Sequence, residues 1–414
     1  MSGPRLDWRC KGLPARAEGL TGAEIGALGL SLTGGDMMMP VAILRERALR
    51  HNVAAMQAFA DGMGANLAPH GKTSMSPELF AMQMDAGAWG LTAATAHHVR
   101  VYRQLGIRRV FLANQLVAPA DIVWILGELA RDPEFDFYCL VDSVETVRLL
   151  AAAAEAAGTP RPVQVLVETG TAGGRTGARD LTAAVEVARA ASAASPWLAL
   201  RGVETFEGVR PTSGESRPEA FSMIGLAVSA AEAIAHEDLL ADGALLLSAG
   251  GSAFLDLCAA GLPAELAGRR VEKIIRPGCY VTHDHGVYAA TVRPGVRGVP
   301  RLQPALEVWA VIQSLPEPGL AIVSLGKRDI SYDAGLPRPI RVHRPGEGER
   351  PAAGLAAVTL WDQHASLADP AGTLRVGDLV GLGISHPCTT FDRWRALFLA
   401  DDADRITGAV TTIF

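Results

Sequence analysis

In the segment Ala68-Pro69-His70-Gly71-Lys72-Thr73-Ser74 a lysine stands between a glycine and two hydroxyl residues. A primary amine on a turn that glycine lets bend tightly is either a solvated loop residue or a nucleophile that condenses with a carbonyl. Two small-residue turns, "SAGGSAF" (248–254) and "RPGCY" (276–280), offer free backbone amides of the kind that cradle a phosphate. The glycine-rich run "ETGTAGGRTGAR" adds Glu168 and Arg175. Late in the chain, "SHPC" sets His386 and Cys388 two residues apart, so on an extended strand both side chains point the same way. Imidazole and thiolate are both zinc ligands. Two are too few for a structural ion, but water and substrate fill the remaining positions of a catalytic one. His283, Asp284 and His285 form a further polar group, whereas His97 and His98 are adjacent on a helical segment and diverge by about 100°, a poor ligand pair.

The elements that must hold these residues alternate. Strand-like runs lie at 65–70, 90–95, 109–115, 135–142, 162–168, 201–207, 244–249 and 273–277, with helix-period segments such as 76–88, 143–158 and 179–194 between them. Parallel neighbours need crossover helices, and eight strands close a (β/α)8 barrel in roughly 250 residues. The rival is an open doubly wound sheet, which would carry a glycine-rich turn after its first strand; "PHGK" is not that turn. Barrel enzymes keep their chemistry at the C-terminal strand ends. On that face a lysine, an arginine and two glycine cups converge, which points to a phosphorylated cofactor held as a Schiff base. After residue 286, valine-rich runs separated by Pro/Gly/Asp turns predict a mostly antiparallel all-β domain, with one helix candidate in "FDRWRALFLA" (391–400). The expected division is a barrel over 36–285 and a β domain over 286–414, with residues 1–35 packing on the latter.

Composition excludes other classes. With 49% hydrophobic and 20% charged residues the 414-residue chain can bury a large core, and a net charge of −6 argues against nucleic acid as a partner. No apolar run reaches membrane-spanning length, and the N-terminus lacks an apolar signal core, so a cytoplasmic protein without membrane contacts is expected. Five scattered cysteines, an odd number, suit a reducing compartment.

The run "PHGKTSMSPELFAMQMDAGAWGLTAAT", together with "GGRTG", "SAGGSAF", "RPGCYVTHD" and "SHPC", resembles the D-serine dehydratase and D-threonine aldolase family, alanine-racemase-like enzymes of pyridoxal-phosphate fold type III. The similarity extends from about residue 37 to the C-terminus. It implies a barrel with a β domain, a homodimer with shared active sites, pyridoxal 5'-phosphate (PLP) and a divalent metal, expected to be zinc. Carried over by position, Lys72 would hold PLP as a Schiff base, Arg175 would face its phenolic oxygen and Phe206 would pack on its ring. Ser248, Gly250, Gly251, Ser252, Gly278, Cys279 and Tyr280 would hold the phosphate, and Arg276 would lie near the pyridine nitrogen. His386 and Cys388 would bind the metal; histidine followed by cysteine is the dehydratase form of the motif, while aldolases usually carry aspartate there.

One departure concerns the loop after the sixth strand. Family members commonly carry Tyr-x-Gly followed by histidine, whereas this chain has "TFEGVRPT". The missing proton acceptor counts against an aldolase, which must deprotonate the β-hydroxyl. The expected reaction is therefore β-elimination of water from a D-3-hydroxy amino acid, giving a 2-oxo acid and ammonia. Retro-aldol cleavage to glycine and an aldehyde is the alternative, and racemisation is more remote. A non-enzymatic PLP-binding protein and a metal-free barrel with an incidental lysine are the readings from other classes.

Overall fold

The structure is a computed structural model that describes residues 3–207, 216–251, 253–291 and 299–414. Its first strand, β1 (Val41–Arg45), is followed by β2 (Ala65–Leu67), β3 (Leu91–Ala93), β4 (Arg109–Gln115), β5 (Asp136–Val141), β6 (Val163–Thr169), β7 (Leu198–Thr205) and β8 (Leu245–Ala249). A two-residue β9 (Glu265–Leu266) pairs antiparallel with β10 (Arg269–Ile275). The main path of this sheet runs β2-β10-β8-β7-β6-β5-β4-β3, every neighbour parallel. The ends of the path rejoin through a parallel bridge between His70 and Thr92. The Thr92 and Trp89 amides donate to the Pro69 and Leu67 carbonyls at 2.8 and 2.7 Å. This is the expected eight-stranded barrel.

Alternation along the strands divides the apolar residues. Phe111, Tyr138, Leu140, Leu166, Leu246 and Ile274 fill the barrel interior, while a larger cluster including Val110, Leu112, Val165 and Leu247 packs outward against the helices. Helix Pro77–Asp85, which follows the lysine turn, starts with Pro77 at its first position; Ser76 donates to Glu78 and caps no backbone amide. By length and composition, Arg217–His236 is apolar enough to cross a membrane, an exception to the sequence expectation. Its Ala220, Ile224, Ala227, Ala231 and Ile234 are instead buried, and the last four belong to the barrel's outer core.

The second sheet holds β11 (Leu306–Glu317), β12 (Leu320–Val323), β13 (Arg338–Arg344), β14 (Gly348–Pro351), β15 (Ala356–Leu360), β16 (Ala365–Ala368), β17 (Leu379–Gly383), β18 (Ala396–Ala400) and β19 (Ile406–Thr411). Its path is β14-β13-β17-β11-β1-β18-β19, antiparallel except for β1 with β18. Two expectations are corrected here. Val41–Arg45, placed with the barrel, is a central strand of this sheet between β11 and β18. Residues 396–400 of the helix candidate form β18, because an apolar run buried on both faces suits a central strand as well as a helix. Leu6, Leu13, Ile25 and Leu30 from the N-terminal segment share a core with Trp309 and Phe398, which places that segment on the antiparallel sheet.

Candidate active site

A cavity of about 380 Å³ opens over the C-terminal ends of the barrel strands and is roofed by the antiparallel domain. Lys72 enters it from a single tight turn, Gly71–Thr73, just past β2. The turn cannot carry a side chain at its first position: a β-carbon on Gly71 would lie 2.3 Å from Tyr102 Oη. Gly278, arriving from β10, is equally close, since its β-carbon would meet Thr73 Oγ1 at 2.4 Å. Glycine at both points is what lets two loops clasp the lysine turn.

The chain has four lysines. Lys11 binds Asp329 at 2.8 Å, Lys273 donates to the Met63 carbonyl, and Lys327 lies over the Tyr332 ring. Among the described residues Lys72 alone has no such partner. Burial lowers the pKa of its amine, while the thiols of Cys388 and Cys279 act in the opposite sense. An amine held out of bulk water with no acceptor is poised for a carbonyl.

Behind the lysine, Arg276 is buried against Glu204 and donates from Nε to Ser248 Oγ at 2.8 Å. Burial pulls the guanidinium down to about 9, so it stays charged at neutral pH; Glu168 supports that charge. The Arg276 guanidinium also lies 5.1 Å from the centre of the Phe111 ring, which belongs to the barrel interior. Glu168 accepts from Gln115 and, at 2.7 Å, from Thr176. Arg175 stacks over Phe206 at 5.0 Å, at the rim. His70 is among the lining residues; its Nδ1 is buried with no partner, and burial keeps the ring neutral.

The third group hangs from the antiparallel domain. Three ligand atoms, from Cys279, His386 and Cys388, lie within 4.8 Å of one another. His386 Nδ1 contacts Asp333 Oδ2 at 2.6 Å, and Thr389 donates to the other oxygen of that carboxylate. This is the way a carboxylate orients a metal-binding imidazole, and it leaves the second ring nitrogen for the cluster. Cys279 donating to Cys388 holds the Cys388 thiol well below its usual range, with His386 adding to the effect, and His386 is pushed up to about 9 in turn. Asp284 lines the cavity too, raised to about 6 by burial, but it accepts from the amides of Gly286, Tyr288 and Ala289 and so shapes its own loop.

Most residues singled out in the sequence therefore meet. Lys72, Arg175, Phe206, Gly250, Arg276, Gly278, Cys279, His386 and Cys388 all line the one cavity. Ser248 does not; its hydroxyl lies beneath, accepting from Arg276. Tyr280 is wholly buried, with its hydroxyl accepting from Gln83 at 3.0 Å, and Gly251 is a left-handed turn position (φ +74°). Neither belongs to the lining. Ser252 lies outside the described residues. His386 and Cys388 converge through a turn rather than along a strand, because Pro387 adopts helical angles and Cys388 starts the helix Cys388–Phe391. Glu204 and Asp333 escaped the sequence reading. Glu204 sits in the expected sixth strand, where alternation could have shown it facing inward; Asp333 sits in a loop with no local signal.

The Lys72 amine and the Cys279/His386/Cys388 cluster fit PLP and a metal ion, whereas Ser248, Gly251 and Tyr280 of the expected phosphate cup lie outside the lining. The volume is within the ~300–1,000 Å³ common for small-molecule sites. It contains an unpartnered amine and a thiol–imidazole cluster, and among its lining residues is His70, whose buried Nδ1 has no partner. A barrel with an antiparallel partner sheet and a lone lysine after its first strand is the arrangement of the fold type III PLP enzymes.

Comparison with known proteins agrees. Residues 44–253 match the model of the alanine racemase N-terminal domain and residues 305–400 that of the putative serine dehydratase domain. The chain belongs to the alanine racemase N-terminal domain family, with the serine dehydratase-type domain following. It is 26% identical over 382 residues to a 3-hydroxy-D-aspartate aldolase of Paracoccus denitrificans (strain Pd 1222), covering 88% of this chain and 90% of that one. To a D-threo-3-hydroxyaspartate dehydratase of Delftia sp. (strain HT23) it is 29% identical over 310 residues, covering 72% and 74%. The crystal structure of D-threonine aldolase from Filomicrobium marinum superimposes with a TM-score of 0.77 at 22% identity, over 93% of this chain and 97% of that one, and so shares its fold.

Proposed function

We propose that this protein is a PLP- and metal-dependent lyase that removes water from D-3-hydroxy amino acids, yielding a 2-oxo acid and ammonia. The observation that carries the reading is that the free Lys72 amine and the Cys279/His386/Cys388 cluster open into the same cavity. The names of the aldolase and dehydratase relatives support the substrate class.

PLP bound through Lys72 supplies an electron sink that makes the α-carbon of an amino acid acidic. A divalent ion on His386 and Cys388 supplies Lewis acidity toward the oxygen of a poor leaving group such as hydroxide. The chain does the rest. Lys72, whose pKa burial lowers, is the base for the α-proton. Arg276, fixed by Glu204 and Ser248, keeps a positive charge on the cavity wall. Asp333 holds the His386 ring in one orientation. The Cα–H and Cβ–O bonds break, one water leaves, and the released enamine takes up one water as it loses ammonia. The sum is hydroxy amino acid to 2-oxo acid plus ammonia.

Retro-aldol cleavage is the second reading, because aldolases are among the relatives. It needs a base for the β-hydroxyl. Phe206, the cavity residue just past β7, cannot serve, which favours elimination. Purified protein supplied with PLP and zinc, offered D-serine, D-threonine and D-3-hydroxyaspartate, separates the two. Oxo acid with stoichiometric ammonia supports elimination; glycine with an aldehyde replaces it by the aldolase. The reading includes a homodimer, for which light scattering should give a mass near twice 43.5 kDa.

A further inference from the structure

The family resemblance assigns Cys279 to the phosphate cup. Its position argues for another role. Cys279 opens the short turn Cys279–Val281 after the last barrel strand, and Cys388 opens the helix Cys388–Phe391 of the antiparallel domain. The two elements bring Sγ to within 3.8 Å of Sγ. A disulfide needs about 2.05 Å, so the pair is not one. Two thiolates each about 2.3 Å from a tetrahedral ion stand about 3.8 Å apart, and a thiolate and an imidazole nitrogen about 3.6 Å. The sulfur pair already has that spacing, and His386 completes a set whose ligand atoms lie within 4.8 Å of one another.

We propose that Cys279 is a third protein ligand, so that the metal site is a two-thiolate, one-imidazole site that joins the barrel to the antiparallel domain. The proposal rests on the metal-dependent reading above and deepens it. Three protein ligands leave one position of a tetrahedral ion open, as catalytic zinc sites do, and the cavity lies beside it for a substrate oxygen. Two soft sulfur ligands also select the ion: zinc or cobalt is favoured over magnesium or manganese, which prefer oxygen.

The test counts sulfurs and needs no turnover. X-ray absorption on the zinc-loaded wild-type protein should show two sulfur scatterers at about 2.3 Å; one sulfur overturns the proposal. In cobalt-loaded protein, Cys279→Ser should remove roughly half of the thiolate-to-cobalt absorbance per bound ion, as one of two thiolates is lost. Zinc affinity should fall by at least about tenfold, the smallest loss seen when a mere supporting partner is removed. If Cys279→Ser keeps the full band and affinity while Cys388→Ser abolishes both, Cys279 is not a ligand and the two-residue site of the proposed function stands. If the wild-type protein binds neither ion, both claims fall together.

Discussion

The ion pair of Arg276 and Glu204 invites a quantitative test, because it lies beneath the cavity and is almost wholly removed from water. Their side chains are 3% and 1% exposed. Replacing Glu204 by glutamine keeps the shape but deletes the negative charge. Arg276 would retain the hydroxyl of Ser248 and the more distant Thr205 carbonyl, both neutral acceptors, together with the field of Glu168, to which it donates no hydrogen bond. Removing one member of a buried pair typically costs about 3–5 kcal/mol, since the other charge stays buried without its direct partner. At about 1.4 kcal/mol per tenfold that is a factor of roughly 10² to 10⁴ in the folding equilibrium. Urea unfolding of the apoprotein measures it, without the added stabilisation that a bound cofactor brings. The double variant Glu204→Met/Arg276→Met buries no charge and should lose less stability than Glu204→Gln alone. A loss below about 1 kcal/mol for Glu204→Gln, or additive losses in the full cycle with both single methionine variants, would refute a buried ionic pair.

Other outcomes follow from the same geometry. Gly71→Ala should destabilise by about 1–3 kcal/mol through overpacking and weaken PLP binding, and Tyr102→Phe should partly rescue both by removing the Oη contact at 2.3 Å. Asp333→Asn should lower zinc affinity by about 10- to 100-fold in a chelator competition, with the fold unchanged by circular dichroism. Burial lowers His98 and His285 from 6.5 to about 4, so between those values the unfolded chain binds protons that the fold refuses. Stability should therefore fall as the pH drops from 6.5 toward 4. Calorimetry against pH should show a shallower fall in His98→Gln, and an unchanged slope would remove that residue from the account.

The barrel was legible because its strands are short apolar runs separated by helix-period segments, a rhythm only parallel crossovers explain. Val41–Arg45 was not, because "VAILR" is buried along nearly its whole length and reads alike in a parallel or an antiparallel sheet. Lys72 and the glycine turns were legible through position, since strand order alone assigns them to one face. Ser248 and Tyr280 failed for the complementary reason: a turn's sequence gives its place but not which side chains face in. His386 and Cys388 do lie together, but through a helical turn at Pro387 in place of extended alternation. No local pattern could bring Cys279 together with Cys388, because the two are 109 residues apart in the chain.

Everything turns on which amine meets the aldehyde. Protein incubated with PLP, reduced with borohydride and digested should carry the phosphopyridoxyl mass on the peptide containing Lys72, and Lys72→Ala should carry none. A label on Lys11, Lys273 or Lys327 instead, or no covalent label at all, would contradict the account.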